Sequence, residues 1–469
     1  MHPPLRFAAR RISRSALVWS FSATATRAAA GLLILPLVAR VIPSEHLGLW
    51  YVFVSFQGIV TLFDVGFNPA VTRAAGYIWA GARHLTGLGI DPSARPDEHE
   101  EPNYRLLSEL IATMRAYYLA FAAVAGLIMF FAGGYWIIQK TQGLPQASTL
   151  RFAYAVFSCG VILNAMGDLW PALLAGINAV RESEKILFGS ILINYSIVAI
   201  GILSRLGLWA LVLGTLCSGL FLRISGRHTL LRILGAHFDR TQCATLSLVK
   251  TLWPMAWRTG MVTLGTFLVI SANTLICSAF LSLETTARYG LTLNLIGILT
   301  YVSTVITQIK VPIVNQLRLR GEISGIIDLW IERTRLSVFV YCLGAIVLFA
   351  FGNPLLHAIG ARTDLLPPAQ LAVFLLILGL IMHHVLYAFL VVSENRNPFV
   401  VPALVSGAAT VLLSLLLAPR FGIWGMLVAQ GSVQASFSNW WTVWRAIRGL
   451  NVSGAEYWGR YFRKPIGIS

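Results

Sequence analysis

Residues 116–138 read AYYLAFAAVAGLIMFFAGGYWII, twenty-three positions without a formally charged side chain. As an α-helix rising ~1.5 Å per residue this stretch is about 35 Å long, enough to cross ~30 Å of hydrocarbon. Residues 336–361 and 365–393 are equally free of Asp, Glu, Lys and Arg. Outward from these three runs, apolar segments recur along the whole chain, and twelve can be drawn: 15–40, 45–69, 110–135, 151–177, 186–204, 207–224, 251–281, 288–310, 336–360, 366–393, 399–418 and 422–445. The expected fold class is therefore an all-α integral membrane protein of about twelve transmembrane helices. The composition agrees: 57% of the 469 residues are hydrophobic, 12% are charged and the mean hydropathy is +0.72, far more apolar side chain than a water-facing surface accommodates.

The net charge of +17 could signal nucleic-acid binding, but its distribution assigns it to topology. With the N-terminus inside, 26 of the 36 Lys and Arg residues fall in cytoplasmic segments and 7 at outer loops and helix ends, with Arg27, Arg115 and Arg258 within or just inside helices. That asymmetry is the positive-inside pattern. It predicts cytoplasmic N and C termini, outward loops near Lys140 and Arg362, and an inner-membrane, multi-pass protein with no nucleic-acid partner. The basic start, Arg6 to Arg14, resembles a signal peptide, but Arg27 interrupts the apolar run that follows, so the expectation is an uncleaved anchor. The five cysteines fall in helices or an inner loop and are expected to be packing residues.

The most basic connection, 223–250, separates six helices from six. The predicted organisation is a six-helix lobe over 1–222, this connection, a second six-helix lobe over 251–449 and a cytoplasmic tail over 450–469. Gly48 and Gly290 each open the second helix of a lobe, and Pro69 and Pro312 follow them by 21 and 22 residues. This spacing suggests a parallel repeat of the kind transporters use. The inner loop over 76–107 contains DPSARPDEHEEP and is expected to be a solvated linker.

No lysine follows a glycine, so the phosphate-cradling loop of an ATP-driven pump is absent from the sequence. His and Cys spacings match no zinc site, and no cofactor is expected. The informative residues are charges and amides at membrane depth, where an unpaired charge costs at least a few kcal/mol unless it faces a cavity or a partner. Arg27 lies about thirteen residues into the first segment and is the leading candidate for a cationic substrate site; an ion pair with Asp64 or Asp168 is the alternative. Arg258 is a second candidate, Arg115 reads as an interfacial anchor, and Asn273, Gln430 and Gln434 could line a path or join helices. Asp168 within NAMGDLWPALLAGIN could pair, accept a proton or bind a cation, and Asp64 is its fellow candidate for ion coupling or structural pairing.

The stretch GLLILPLVARVIPSEHLGLWYVFVSFQGIVTLFDVGFNPAVTRAAG, residues 31–76, resembles the polysaccharide-transporter branch of the multidrug, oligosaccharidyl-lipid and polysaccharide exporter superfamily. Its pattern is matched by Asp64, Gly66, Ala70 and Arg73, with PALLAGIN resembling the L-x-G turn and ETTARYGL its repeat in the second lobe. The resemblance implies a two-lobed, non-enzymatic flippase that moves a polyprenyl-pyrophosphate-linked oligosaccharide by alternating access for cell-surface polysaccharide synthesis. Membrane lipid, H+ or Na+ and polysaccharide-assembly proteins are the implied partners. A cation-coupled multidrug exporter of the same superfamily and a membrane glycosyltransferase or polymerase acting on the lipid carrier are the competing readings.

Overall fold

The computed structural model describes residue 26 and residues 31–62, 64, 66–85, 101–394 and 398–463. Among them the chain is helical. In order come α1 (Gly31–Val41), α2 (Ser44–Leu62), α3 (Phe67–Trp79), α4 (Tyr104–Leu127), α5 (Gly134–Lys140), α6 (Ala147–Gly167), α7 (Leu169–Gly176), α8 (Val180–Leu203) and α9 (Leu208–Leu234). After these come α10 (Leu246–Ile270), α11 (Ala272–Phe280), α12 (Leu283–Gln308), α13 (Val311–Leu319), α14 (Ile323–Ala358), α15 (Pro368–Val392), α16 (Val400–Phe421), α17 (Ile423–Val433), α18 (Asn439–Arg448) and α19 (Gly454–Arg463). Nine spans among the described residues are long and apolar enough to cross a membrane, and α2 with α3 forms a further candidate bent by 43°. Most of the first predicted span, 15–40, lies outside the described residues. The last, 422–445, is an α17–α18 run interrupted by a π-turn at Gln434–Ser438.

The chain forms two compact units. One comprises the described residues of Met1–Ile34 and Phe53–Thr263, the other Leu35–Val52 and Leu264–Ser469. In the first, α6 and α9 approach until a Cβ at Gly160 would stand 3.0 Å from the Leu216 backbone. Small residues permit this close packing, which is the main attraction between helices when both partner and solvent are apolar. Asn164 fastens the contact by donating to the carbonyls of Gly160 and Thr215, both at 2.9 Å. Asn103 caps α4 by accepting from the Leu106 amide at 3.0 Å. Beyond α4 the helix widens into a π-turn at Ile128–Gly133, where the Tyr154 hydroxyl donates to the Met129 carbonyl at 3.1 Å.

In the second unit, Gly48 of α2 meets the Leu283 carbonyl at the start of α12, and Gly290 of α12 receives the ring of Tyr51 from α2. The two glycines paired by spacing thus serve one helix crossing from opposite sides. Leu343, Ile346, Val347 and Phe351 of α14 are exposed, an apolar surface that requires lipid rather than water around it.

Candidate functional site

The site of the first unit grows from the break between α2 and α3. Gly66 adopts φ +72°, and a Cβ there would also come within 2.5 Å of Thr259; only glycine satisfies both demands. The turn presents Asp64, whose carbonyl accepts from the Phe67 amide at 2.9 Å. Its carboxylate accepts from the Tyr118 hydroxyl of α4 at 2.5 Å. Asp168, at the junction of α6 and α7, lies deep among the helices yet open to a water-sized molecule, and close enough to feel the charge of Asp64. Its backbone carbonyl accepts from Asn68 Nδ2 at 3.5 Å. The two candidate coupling acids are therefore brought into one electrostatic neighbourhood, with Tyr118 as the bonded neighbour of Asp64.

Tyr118 also lines a groove of about 320 Å³ between α4, α6, α7 and α9, with Arg115, Leu119, Met166, Trp170 and Arg223 among its other walls. Among the described residues no carboxylate lines it. Arg115 stands eleven residues after the first residue of α4 and Arg223 eleven before the last of α9, each about 17 Å along its helix. Both depths are counted from one end of the unit, because the Tyr104 ring at the start of α4 stacks on His237 beyond α9 at 4.3 Å. Arg223 donates to the Met166 sulfur at 2.8 Å. Arg115 has no ion pair or hydrogen bond among the described residues.

A second chamber of about 170 Å³ adjoins the groove and shares Ala112, Arg115 and Trp170 with it. Arg227 of α9 and Arg240, Gln242 and Asp239 of the following loop complete its polar wall. That loop is fastened to α4: the Asp239 amide donates to Ser108 Oγ at 3.1 Å, and Thr245 bonds Thr113 and Glu109 at 3.0 and 2.7 Å. Hydrogen bonds from Gln242 and Thr241 hold the Asp239 carboxyl down at about 2.

Of the other predicted residues, Arg27 lies outside the described residues. Arg258 is exposed on α10, 5.8 Å from the Trp257 ring centre, one residue from the Thr259 that packs on Gly66. Ala70 is buried and Arg73 exposed on α3. Gly176 of PALLAGIN is where α7 crosses α3, with Thr72 and Ala75 at its Cβ position. Asn273 is buried in the second unit; neither of its carboxamide atoms forms a well-aligned hydrogen bond, and Tyr289 is its electrostatic neighbour.

Arg115, Arg223, Tyr118 and Trp170 escaped the sequence reading as site residues. A signal was present: Arg223, Arg227 and Leu231 recur every four residues, as do Ser108, Ala112 and Ala116 on α4, and each set marks one helix face. It was hidden because the apolar run of α9 stops near residue 224 while the helix continues to Leu234.

No family model and no curated protein matches the chain. Solved structures do. An inward-facing multidrug resistance MATE family transporter of the MOP superfamily superposes with a TM-score of 0.67 at 11% identity, covering 93% of this chain and 99% of its own. The lipid II flippase MurJ, in an inward closed conformation, gives 0.62 at 12%, covering 95% and 90%. The MATE multidrug transporter DinF-BH in complex with R6G gives 0.59 at 13%, covering 94% and 97%. At such identities the likeness speaks for the fold alone: this chain shares the helical fold of these solved MATE and MurJ structures.

Proposed function

We propose that this protein is a flippase that carries a polyprenyl-pyrophosphate-linked oligosaccharide from the cytoplasmic to the outer face of the inner membrane by alternating access, for cell-surface polysaccharide synthesis. The observation that carries the reading is the groove lined by Arg115 and Arg223, inside apolar helices and without a lining carboxylate among the described residues. Guanidinium groups supply paired planar donors suited to phosphate oxygens. Their cost at membrane depth is justified by a polar cavity and an anionic ligand. Within this reading all twelve predicted spans cross the membrane, both termini are cytoplasmic, and Arg27, Arg258 and Asn273 are further substrate contacts.

Asp64 and Asp168 are the proposed H+ or Na+ site. Tyr118 touches both the acid and the groove, so a change of charge at Asp64 can alter the groove wall through one hydroxyl. The same acid pair favours a second reading, a cation-coupled exporter of organic cations, since a carboxylate pair attracts such cargo. Reconstituted vesicles with an imposed proton or sodium gradient decide between them. The flippase reading expects ATP-independent movement of a lipid-linked oligosaccharide and none of a lipophilic organic cation; the reverse outcome overturns it.

A further inference from the structure

The last described helix carries an inference that is independent of the flippase reading. We infer that α19 is an interfacial foot of the second unit: one stripe of it is clamped to the helix bundle, and the stripe of Trp458 and Phe462 enters the headgroup–acyl boundary of the membrane leaflet at that end.

The sequence of α19, GAEYWGRYFR, contains three pairs spaced four residues apart, and each such pair shares a helix face. Glu456 and Arg460 form a polar stripe, Tyr457 and Tyr461 the next, and Trp458 and Phe462 the third, each turned about 100° from the one before. The structure gives each stripe different surroundings. The middle one is docked: Tyr457 is buried with its hydroxyl 3.1 Å from that of Tyr387 on α15, and the Arg335 guanidinium of α14 stands 5.9 Å from the Tyr461 ring centre. The polar stripe is satisfied, because Arg460 donates to Glu456 at 2.8 Å and to Ser324 at 3.0 Å. The third is left uncovered. Phe462 is 76% exposed, Trp458 is half-buried, and their rings stack with centres 6.2 Å apart.

What covers the third stripe follows from where the docked one sits. Arg335 is the last charged residue before the 336–361 run of α14, and Tyr387 lies six residues inside the end of the 365–393 run, about 9 Å along α15. Ser324, the partner of the polar stripe, stands eleven residues before Arg335, about 17 Å further out along α14. The docked stripe is therefore level with the edge of the two membrane-length runs. From that level the polar stripe reaches outward to water, and the apolar stripe, on the opposite flank, meets lipid. The end of α18 marks the same boundary: Trp440 and Trp444 are each 53% exposed, and the Arg448 guanidinium stands 5.1 Å from the Trp444 ring centre, with only residues 449–453 between it and α19. Exposed tryptophans beside a basic residue at the end of a membrane helix belong to the interface. An amphipathic helix with tryptophan and phenylalanine on its apolar face seats about 5–10 Å into that layer. Because Arg460 is already bonded to Glu456, insertion draws on the two apolar rings rather than on headgroup charge.

The test is photocrosslinking of the full-length protein in nanodiscs, with benzoylphenylalanine in place of Phe462 or, as a control, of Glu456. The nanodiscs hold phosphatidylcholine alone or phosphatidylcholine mixed with phosphatidylglycerol. The inference expects a phospholipid adduct at position 462 with similar yield in both lipids, and a much weaker one at position 456. No lipid adduct at 462, or equal yields at the two positions, overturns it. An adduct joining two protein chains overturns it in favour of an interface between copies, and an adduct that forms only with phosphatidylglycerol overturns apolar insertion in favour of headgroup charge. Trp458→Ser with Phe462→Ser should also speed amide exchange of residues 454–463 in the nanodisc at least about tenfold, with exchange elsewhere in the second unit unchanged. Wild-type exchange of 454–463 in that variant overturns the foot.

Discussion

The interiors of the two units differ in the kind of polarity they hold. The first places guanidinium and carboxylate groups among its helices: Arg115 and Arg223 on the groove, Asp64 and Asp168 behind Tyr118. The second holds carboxamides, hydroxyls and imidazoles, together with paired charges, as in Arg445 with Glu394 at 2.9 Å. Gln430 donates to the Val269 carbonyl at 3.0 Å, His383 meets Asn439 at 2.8 Å, His384 meets Thr442 at 2.9 Å, and Ser406 meets Ser438 at 2.6 Å beside the π-turn. Neutral hydrogen bonds between membrane helices average about 0.6 kcal/mol, whereas a charge there costs several times more unless it is used. The difference teaches that two helical units can distribute polarity unequally: among the described residues, unpaired guanidinium and carboxylate groups gather in the first, helix-joining neutral hydrogen bonds in the second.

The largest effect expected from breaking that contrast is on the arginines. Arg115→Ala with Arg223→Ala should lower translocation of a lipid-linked oligosaccharide at least about a hundredfold, about tenfold for each charge-assisted contact, with protein levels near normal. Arg27→Ala should likewise abolish export while sparing insertion; a fully active variant would remove Arg27 from the cationic site, and lost protein restored by neutralising Asp64 or Asp168 would make it a structural partner instead. Next comes coupling. Asp64→Asn or Asp168→Asn should leave lipid binding intact while reducing the response to an ion gradient within the ~5- to 150-fold range of coupled sites. An undiminished gradient response in both variants would confine the acids to structure.

A smaller effect sharpens the contrast from the other side. Asn273→Leu replaces a buried carboxamide lacking well-aligned partners, so it should stabilise the protein to unfolding by about 1–3 kcal/mol. If Asn273 also contacts substrate, translocation should fall in the same variant; stability gained with transport unchanged would remove it from the path. The smallest effect concerns Asp239. Its carboxyl is held near 2, below the ordinary 3.8, so the anchoring it gives the loop is complete above the ordinary value and lost as pH falls through about 2. Hydrogen-exchange protection of residues 235–245 should therefore stay constant from about pH 7 to about pH 4, and Asp239→Asn should lower it throughout that range.

Much of the fold was legible because apolar length and charge asymmetry act locally: residues 116–138 declare a membrane helix without reference to any partner. Gly48 and Gly290 stood out by their spacing, and the structure places both at one crossing of α2 and α12. The site was legible only in part. Asp64 and Asp168 stand out because carboxylates are rare in apolar runs, but the Tyr118 hydroxyl that binds Asp64 comes from 54 residues away, and no local pattern announces such a contact. Arg115 read as an anchor because its depth depends on where α4 begins, a boundary set by the Asn103 cap rather than by hydropathy. Arg223 read as connection because α9 continues past its apolar run.

The central claim, that the arginine-lined groove of the first unit serves an anionic lipid, is tested most directly by one paired measurement. Vesicles containing the full-length protein, energised by an ion gradient and free of ATP, are assayed for outward movement of a polyprenyl-pyrophosphate-linked oligosaccharide and of a lipophilic organic cation, with wild type beside the Arg115→Ala, Arg223→Ala variant. The account predicts movement of the lipid-linked sugar alone, lost in the variant. Movement of the organic cation with the lipid-linked sugar left behind, or lipid-linked sugar moved equally well by the variant, would contradict it.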